Sequence, residues 1–311
     1  GARAFVAKNH NIKSVFFIES EPTKDMLSTT RFALDETEVN FNEFAPYTKI
    51  YVKKSAYDKY KAEWTKTVYN DTKKREGLSP FNFTSQIDYK IKDTQIETKY
   101  VTFAREFDVD FGDCASNGGV NVAAFVYGRL LNGSGDYGGN TPQHIRMKSI
   151  DQHGGVSDSY TYVPANTGVL LKILGSKNST GGLLYYTIGE KDNVTYHITD
   201  NVMNGIEVKS KKVDASTTSP IYVLQKGVFK KATAPILNFP VHKAYLTLPS
   251  GAAPSKELKP CFDDDETTNI ENVTTSEEMK ANDVYYNLNG QRVSNPQKGV
   301  YVHNGRKVLV K

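Results

Sequence analysis

The stretch "FDVDFGD", residues 107–113, concentrates three carboxylates, and carboxylate oxygens are what a hard cation such as Ca²⁺ seeks. Asp108 and Asp110 alternate with Phe107, Val109 and Phe111, so a regular strand puts both acids on one face. Asp113 belongs to the turn that follows. Asp108, Asp110 and Asp113 are thus the candidate metal ligands, with Ca²⁺ the one cofactor the sequence suggests. The alternation also gives these acids a plainer role, as the wet face of a strand. Asp263, Asp264 and Asp265 form a second acidic run with the same two readings. Glycoside hydrolysis would need two carboxylates at a set separation, which sequence does not place.

Other reactive residues stand apart. None of the histidines at 10, 144, 153, 197, 242 and 303 has zinc-ligand or HExxH spacing. Cys114 has neither a neighbouring His nor a CxxC partner. Cys114 and Cys261 could pair, which the count neither requires nor forbids. No GxSxG elbow, phosphate loop or dinucleotide fingerprint occurs. "NGSGDYGGN", residues 132–140, is glycine-rich but has no helix after it, and reads as a hairpin loop rather than a phosphate cradle. The expectation is a chain that is not an enzyme.

Strands must position whatever these residues do. Tyr, at 19 copies against one Trp and 4 Met, suits a pleated, half-buried surface. From residue 80 to 262, runs such as "TKYVTFAREFDVDF", "VNVAAFVYGRLL", "LLYYTIG" and "HKAYLTLP" alternate with Gly, Asn, Ser and Pro clusters, the punctuation of an all-β region. A β-sandwich or Greek-key barrel follows. Upstream, "TKIYVKKSAYDKYKAEWTK" gives a strand at Ile50–Val52 and then a helix. There Tyr57, Tyr60 and Trp64 recur at helical spacing, a docking face more than a sugar platform.

Residues 263–280 open with a run rich in acids and read as a solvated linker. Residues 281–311 are basic and alternate around Asn289-Gly290 and Asn304-Gly305, which predicts a double-hairpin module. The net charge of +4 is scattered, which argues against nucleic acid as a partner. No apolar stretch approaches the roughly 18 residues of a membrane-spanning helix. The first residues are "GARAF", without Met, so a mature or truncated form is expected.

Four stretches carry a resemblance. "AFVAKNHNIKSVFF" resembles one repeat of the BspA-like leucine-rich-repeat surface proteins of Bacteroidetes, with Ala4-Phe5, Asn11-Ile12 and Val15 at the typical points. It departs by one extra residue between the Phe and the Asn, and by Lys8 where a small residue or Cys is common. "KIYVKKSAYDKYKAEW" is similar to the segment that ends such arrays, a strand leading to a capping helix. "YVPANTGVLLKI" and "KAYLTLPSGA" are similar to β-domains of secreted proteins of these bacteria. The tail "YYNLNGQRVSNPQKGVYVHNGRKVLVK" resembles their C-terminal segments.

The resemblance implies a mainly β protein in four parts. Residues 1–75 would be a leucine-rich-repeat remnant with its capping helix. Residues 80–262 would be the β-sandwich-like domain, 263–280 the linker, and 281–311 a module that sorts, attaches to the cell envelope, or only packs. Repeats bury their apolar faces only against neighbours, so about three are needed. One clear and one degenerate repeat therefore imply either the end of a longer array or a remnant packed on the β-domain. The implied role is an exported, cell-surface or extracellular adhesin-like surface for a protein partner. The alternative is an accessory glycan-binding module, with Tyr127, Tyr137, Tyr160 and Tyr162 as candidate platforms.

Overall fold

A computed structural model describes residues 13–21, 49–64, 68–70, 73–75, 83–113, 121–131, 144–152, 160–174, 183–190, 193–252, 255–262, 271–273, 285–287, 291–293, 296–303 and 306–310. The structure is 51% strand and 7% helix, with two helices, so the expected mainly β character holds. No described helix is long and apolar enough to cross a membrane.

The first elements are β1 (Ser14–Phe17), β2 (Lys49–Val52) and α1 (Tyr57–Trp64). They are followed by β3 (Val68–Asn70), β4 (Lys73–Arg75) and β5 (Phe83–Thr84). Strands β1, β2 and β5 form a parallel sheet, with Ser14 beside Lys49 and Ile50 beside Phe83. This sheet reaches Thr84, inside the stretch that the sequence assigns to the β-domain. Helix α1 packs on it as its spacing predicts. Tyr60 is buried among Ile50, Val52, Ala56 and Phe83, and its hydroxyl donates to the carbonyls of Glu19 and Glu21. Tyr57 lies half-buried against the same cluster, and the Trp64 side chain is outside the described residues.

The central region begins with β6 (Ile87–Lys90), α2 (Asp93–Thr98), β7 (Tyr100–Phe103) and β8 (Val109–Asp110). Next come β9 (Asn121–Leu131), β10 (His144–Ser149), β11 (Tyr162–Val163), β12 (Val169–Leu174) and β13 (Leu183–Ile188). Its second half holds β14 (Met203–Ile206), β15 (Lys211–Val213), β16 (Ile221–Gln225) and β17 (Val228–Lys231). It ends with β18 (Ile236–Phe239), β19 (Lys243–Thr247) and β20 (Glu257–Phe262). The short helix α2 is the element here that the sequence does not announce.

Nine strands in the order β14-β19-β16-β17-β20-β10-β9-β12-β7 make one nearly closed sheet. Sequence-contiguous halves lie on either side of β20, which pairs antiparallel with β17 and parallel with β10. Pro260, which has no N–H to give, lies beyond the reach of β17, whose pairing stops at Leu258. The β16–β17 turn sets Lys226 and Gly227 at φ 49° and 80°, the paired positive φ of a two-residue hairpin.

Two cores share the wall formed by β9 and β12. Ala123, Phe125 and Leu170 face the inside of the nine-strand sheet, with Met147, Tyr222, Phe229, Leu246 and Phe262. Val122, Ala124, Val126, Val169 and Leu171 face the other way, onto a four-strand sheet ordered β11-β8-β13-β6. A strand buried on both faces needs an unbroken apolar run, which explains "VAAFV" and "VLL".

The C-terminal strands are β21 (Glu271–Val273), β22 (Tyr285–Tyr286), β23 (Arg292–Val293), β24 (Gly299–His303) and β25 (Arg306–Val310). Both expected hairpins form, with Tyr286 beside Arg292 and His303 beside Arg306. The Asn-Gly pairs at their tips lie outside the described residues. The stretch read as a linker contributes a fifth strand, since β21 pairs parallel with β25.

Candidate functional site

Among the described residues the sheet stays open along β14, a strand at one end of its order, and a cleft of about 640 Å³ runs there. One wall is the turn Ala165–Gly168 that leads into β12; the other comprises Ile198, Thr199 and the segment from Asn201 to Lys211. Missing side chains bring the walls together. A Cβ on Gly168 would stand 2.6 Å from the Met203 carbonyl oxygen, and one on Gly205 would stand 2.5 Å from the Ala104 methyl. Both positions therefore require glycine.

Asn201 stitches the walls. Its Nδ2 donates to the Gly168 carbonyl at 2.8 Å, and its Oδ1 accepts from the Met203 N–H at 3.1 Å and the Tyr127 N–H at 3.4 Å. Asn166, at φ 57°, donates its N–H to the Arg105 carbonyl at 2.7 Å. Glu207 and Lys211 supply one charge of each sign, and Ile198 is 46% exposed at the cleft.

Behind this seam lies a buried ionisable cluster. The Arg105 guanidinium donates to both carboxylate oxygens of Glu106, at 3.0 and 2.8 Å, and to the Tyr186 hydroxyl at 2.8 Å. It lies over the rings of Phe107 and Phe16, 4.3 and 4.8 Å from their centroids. Phe16 belongs to β1, so this cation ties the N-terminal parallel sheet to the central region. Burial pushes the Tyr186 hydroxyl up to about 12, against the opposing pull of Arg105. Lys243 bonds the Tyr89 hydroxyl and is held down at about 8, first by burial and then by Lys92. Burial, with Arg105 nearby, lowers His242 to about 4.

The three candidate metal ligands each serve a different protein donor. Asp108 accepts from the Ala165 N–H at 2.7 Å, so it pins one wall of the cleft. Asp110 accepts from the Gly112 N–H and the Thr161 hydroxyl, both at 2.8 Å, while Asp113 pairs with Lys54. Among the described residues no three His, Cys, Asp or Glu side chains gather as a metal site. Asp263, Asp264, Asp265 and Cys114 lie outside the described residues, and with Cys114 the pairing to Cys261.

The tyrosine candidates divide. Tyr160 and Tyr196 are half-buried with hydroxyls 3.1 Å apart, whereas Tyr162 is buried and stacks on Tyr196 at 5.9 Å. Tyr127 leans half-buried on the inner core, and Tyr137 is outside the described residues. No protein-family model matches this chain, and neither the curated proteins nor the solved structures contain a match.

Arg105, Glu207 and Lys211 escape a motif search because they belong to none. Arg105 nevertheless leaves a trace: it occupies the inward parity of Val101, Phe103, Phe107, Val109 and Phe111. A charge in an apolar slot signals either a turned strand or a buried cation, and here both occur.

Proposed function

We propose that the protein is a non-enzymatic secreted or cell-surface protein that presents an adhesin-like interaction surface to a protein partner. The observation that carries this reading is the open cleft, lined by amides, hydroxyls, bare glycine backbone and one charge of each sign. Such a lining grips a ligand by hydrogen bonds and charge complementarity. The strongly shifted ionisable groups, by contrast, engage protein partners behind the seam.

The parallel pairing of β1, β2 and β5, with α1 after β2, supports the resemblance to the end of a leucine-rich-repeat array. The chain between Ser14 and Lys49 is longer than the roughly 20–29 residues of such a repeat, a departure from the spacing of such arrays. In this reading the tail attaches or sorts the protein at the cell envelope, and cutting at Asp283 abolishes surface display.

The half-exposed Tyr160–Tyr196 pair favours a second reading, an accessory glycan-binding module. Arrays of extracellular proteins and of polysaccharides, probed with the full chain, separate the two. Saturable binding to a protein supports the first reading, and binding to polysaccharide alone replaces it with the second. Turnover of any arrayed ligand sinks both.

A further inference from the structure

We infer that the cleft takes an extended peptide segment of the partner, carrying a basic and an acidic side chain, as an added strand on β14. This rests on the interaction-surface reading and names the ligand class of that site. Among the described residues, strand β14 has a neighbour on one side, β19. The Thr247 N–H donates to the Val202 carbonyl, in register with Asn204 beside Tyr245. Antiparallel pairs alternate, so Asn204 turns its backbone groups toward β19 while Met203 and Gly205 turn theirs to the open side. The Met203 N–H is taken by Asn201, and its carbonyl rests against Gly168. Gly205 thus offers both an N–H and a carbonyl oxygen on the open edge, the pair that a docking strand uses.

The surroundings set the chemistry of that strand. The Glu207 carboxylate lies against the bare Cα of Gly205, ready for a basic side chain, and Lys211 further along the cleft suits an acidic one. Ile198 gives an apolar contact between polar neighbours. No aromatic ring is among the described lining residues, so a sugar has no stacking platform here.

The test uses the full chain with ¹⁵N labelling and short capped Val/Thr peptides bearing one Lys and one Asp. Controls replace both charges by Gln, or N-methylate the backbone. The expected result is slowed exchange of the Gly205 amide and about tenfold tighter binding than the Gln control. That advantage should vanish in Glu207→Gln and Lys211→Gln, and N-methylation should abolish binding. No binding at millimolar peptide, unchanged Gly205 exchange, or full affinity in both charge variants overturns the inference. A saccharide that slows the same amide reassigns the cleft to glycans. An array partner whose binding ignores the Glu207 and Lys211 changes leaves the interaction reading standing and removes the cleft from it.

Discussion

The two cores that share β9 and β12 are built on opposite principles. Inside the nine-strand sheet, Phe125, Ile145, Phe229, Leu246 and Leu258 make an apolar filling, and Tyr222 sends its hydroxyl out to the Ser255 carbonyl at 2.7 Å. Between the sheets, Phe103, Phe111 and Tyr186 pack edge-on or tilted around one another, next to a guanidinium only 4% exposed. The first core depends on volume. The second depends on every buried charge keeping its partner, since an orphaned buried ion costs several kcal/mol while a well-packed apolar replacement costs little. The polar core is also the one that meets the N-terminal sheet, through Phe16.

The sharpest way to break this contrast is Glu106→Ala, which strips Arg105 of its bidentate partner. A loss of about 3–5 kcal/mol in urea unfolding is expected. Arg105→Met should cost far less, because Glu106, a third exposed, can turn to water. Equal losses in the two variants would show that the cation–ring contacts dominate instead. In the apolar core, Leu246→Ala should cost about 2–5 kcal/mol through the cavity alone, with no dependence on salt or pH.

His242 should give the polar core a pH dependence that the apolar one lacks. Its folded value of about 4 lies below the 6.5 of an ordinary histidine, so the unfolded chain binds the extra proton first. Stability should therefore fall as pH drops from 6.5 through 4. His242→Asn, which tolerates the φ of 58°, should flatten that part of the Tm-against-pH curve. An unchanged slope would move the titration elsewhere. The smallest effect expected is Asp113→Asn, which removes an exposed ion pair with Lys54 and should cost under about 1 kcal/mol.

Much of the fold was legible because strands advertise themselves. Val101, Phe103, Phe107, Val109 and Phe111 all point inward as alternation says, and Tyr60 docks α1 as helical spacing says. Pairing was not legible. Nothing local in "ENV" tells it to join β25, and nothing in "FNF" tells Phe83 to join β2, because those choices are made by distant partners. The cleft was hidden for the same reason. Gly168 and Gly205 look like ordinary loop and strand glycines until the chain brings Met203 and Ala104 against them.

Strand β20 has a consequence in time rather than in space. It is the last strand of the central region to leave the ribosome, yet it occupies the middle of the nine-strand sheet, joining Phe229 to Leu258 on one side and Met147 to Phe262 on the other. Until it emerges, the two halves have no shared strand, and the pairing of β10 with β20 waits on more than a hundred residues of chain. A nascent chain stopped short of Ser255 would carry two open half-sheets with paired strands but no closure. The central region is therefore assembled like a clasp, slack until its last strand joins the two halves.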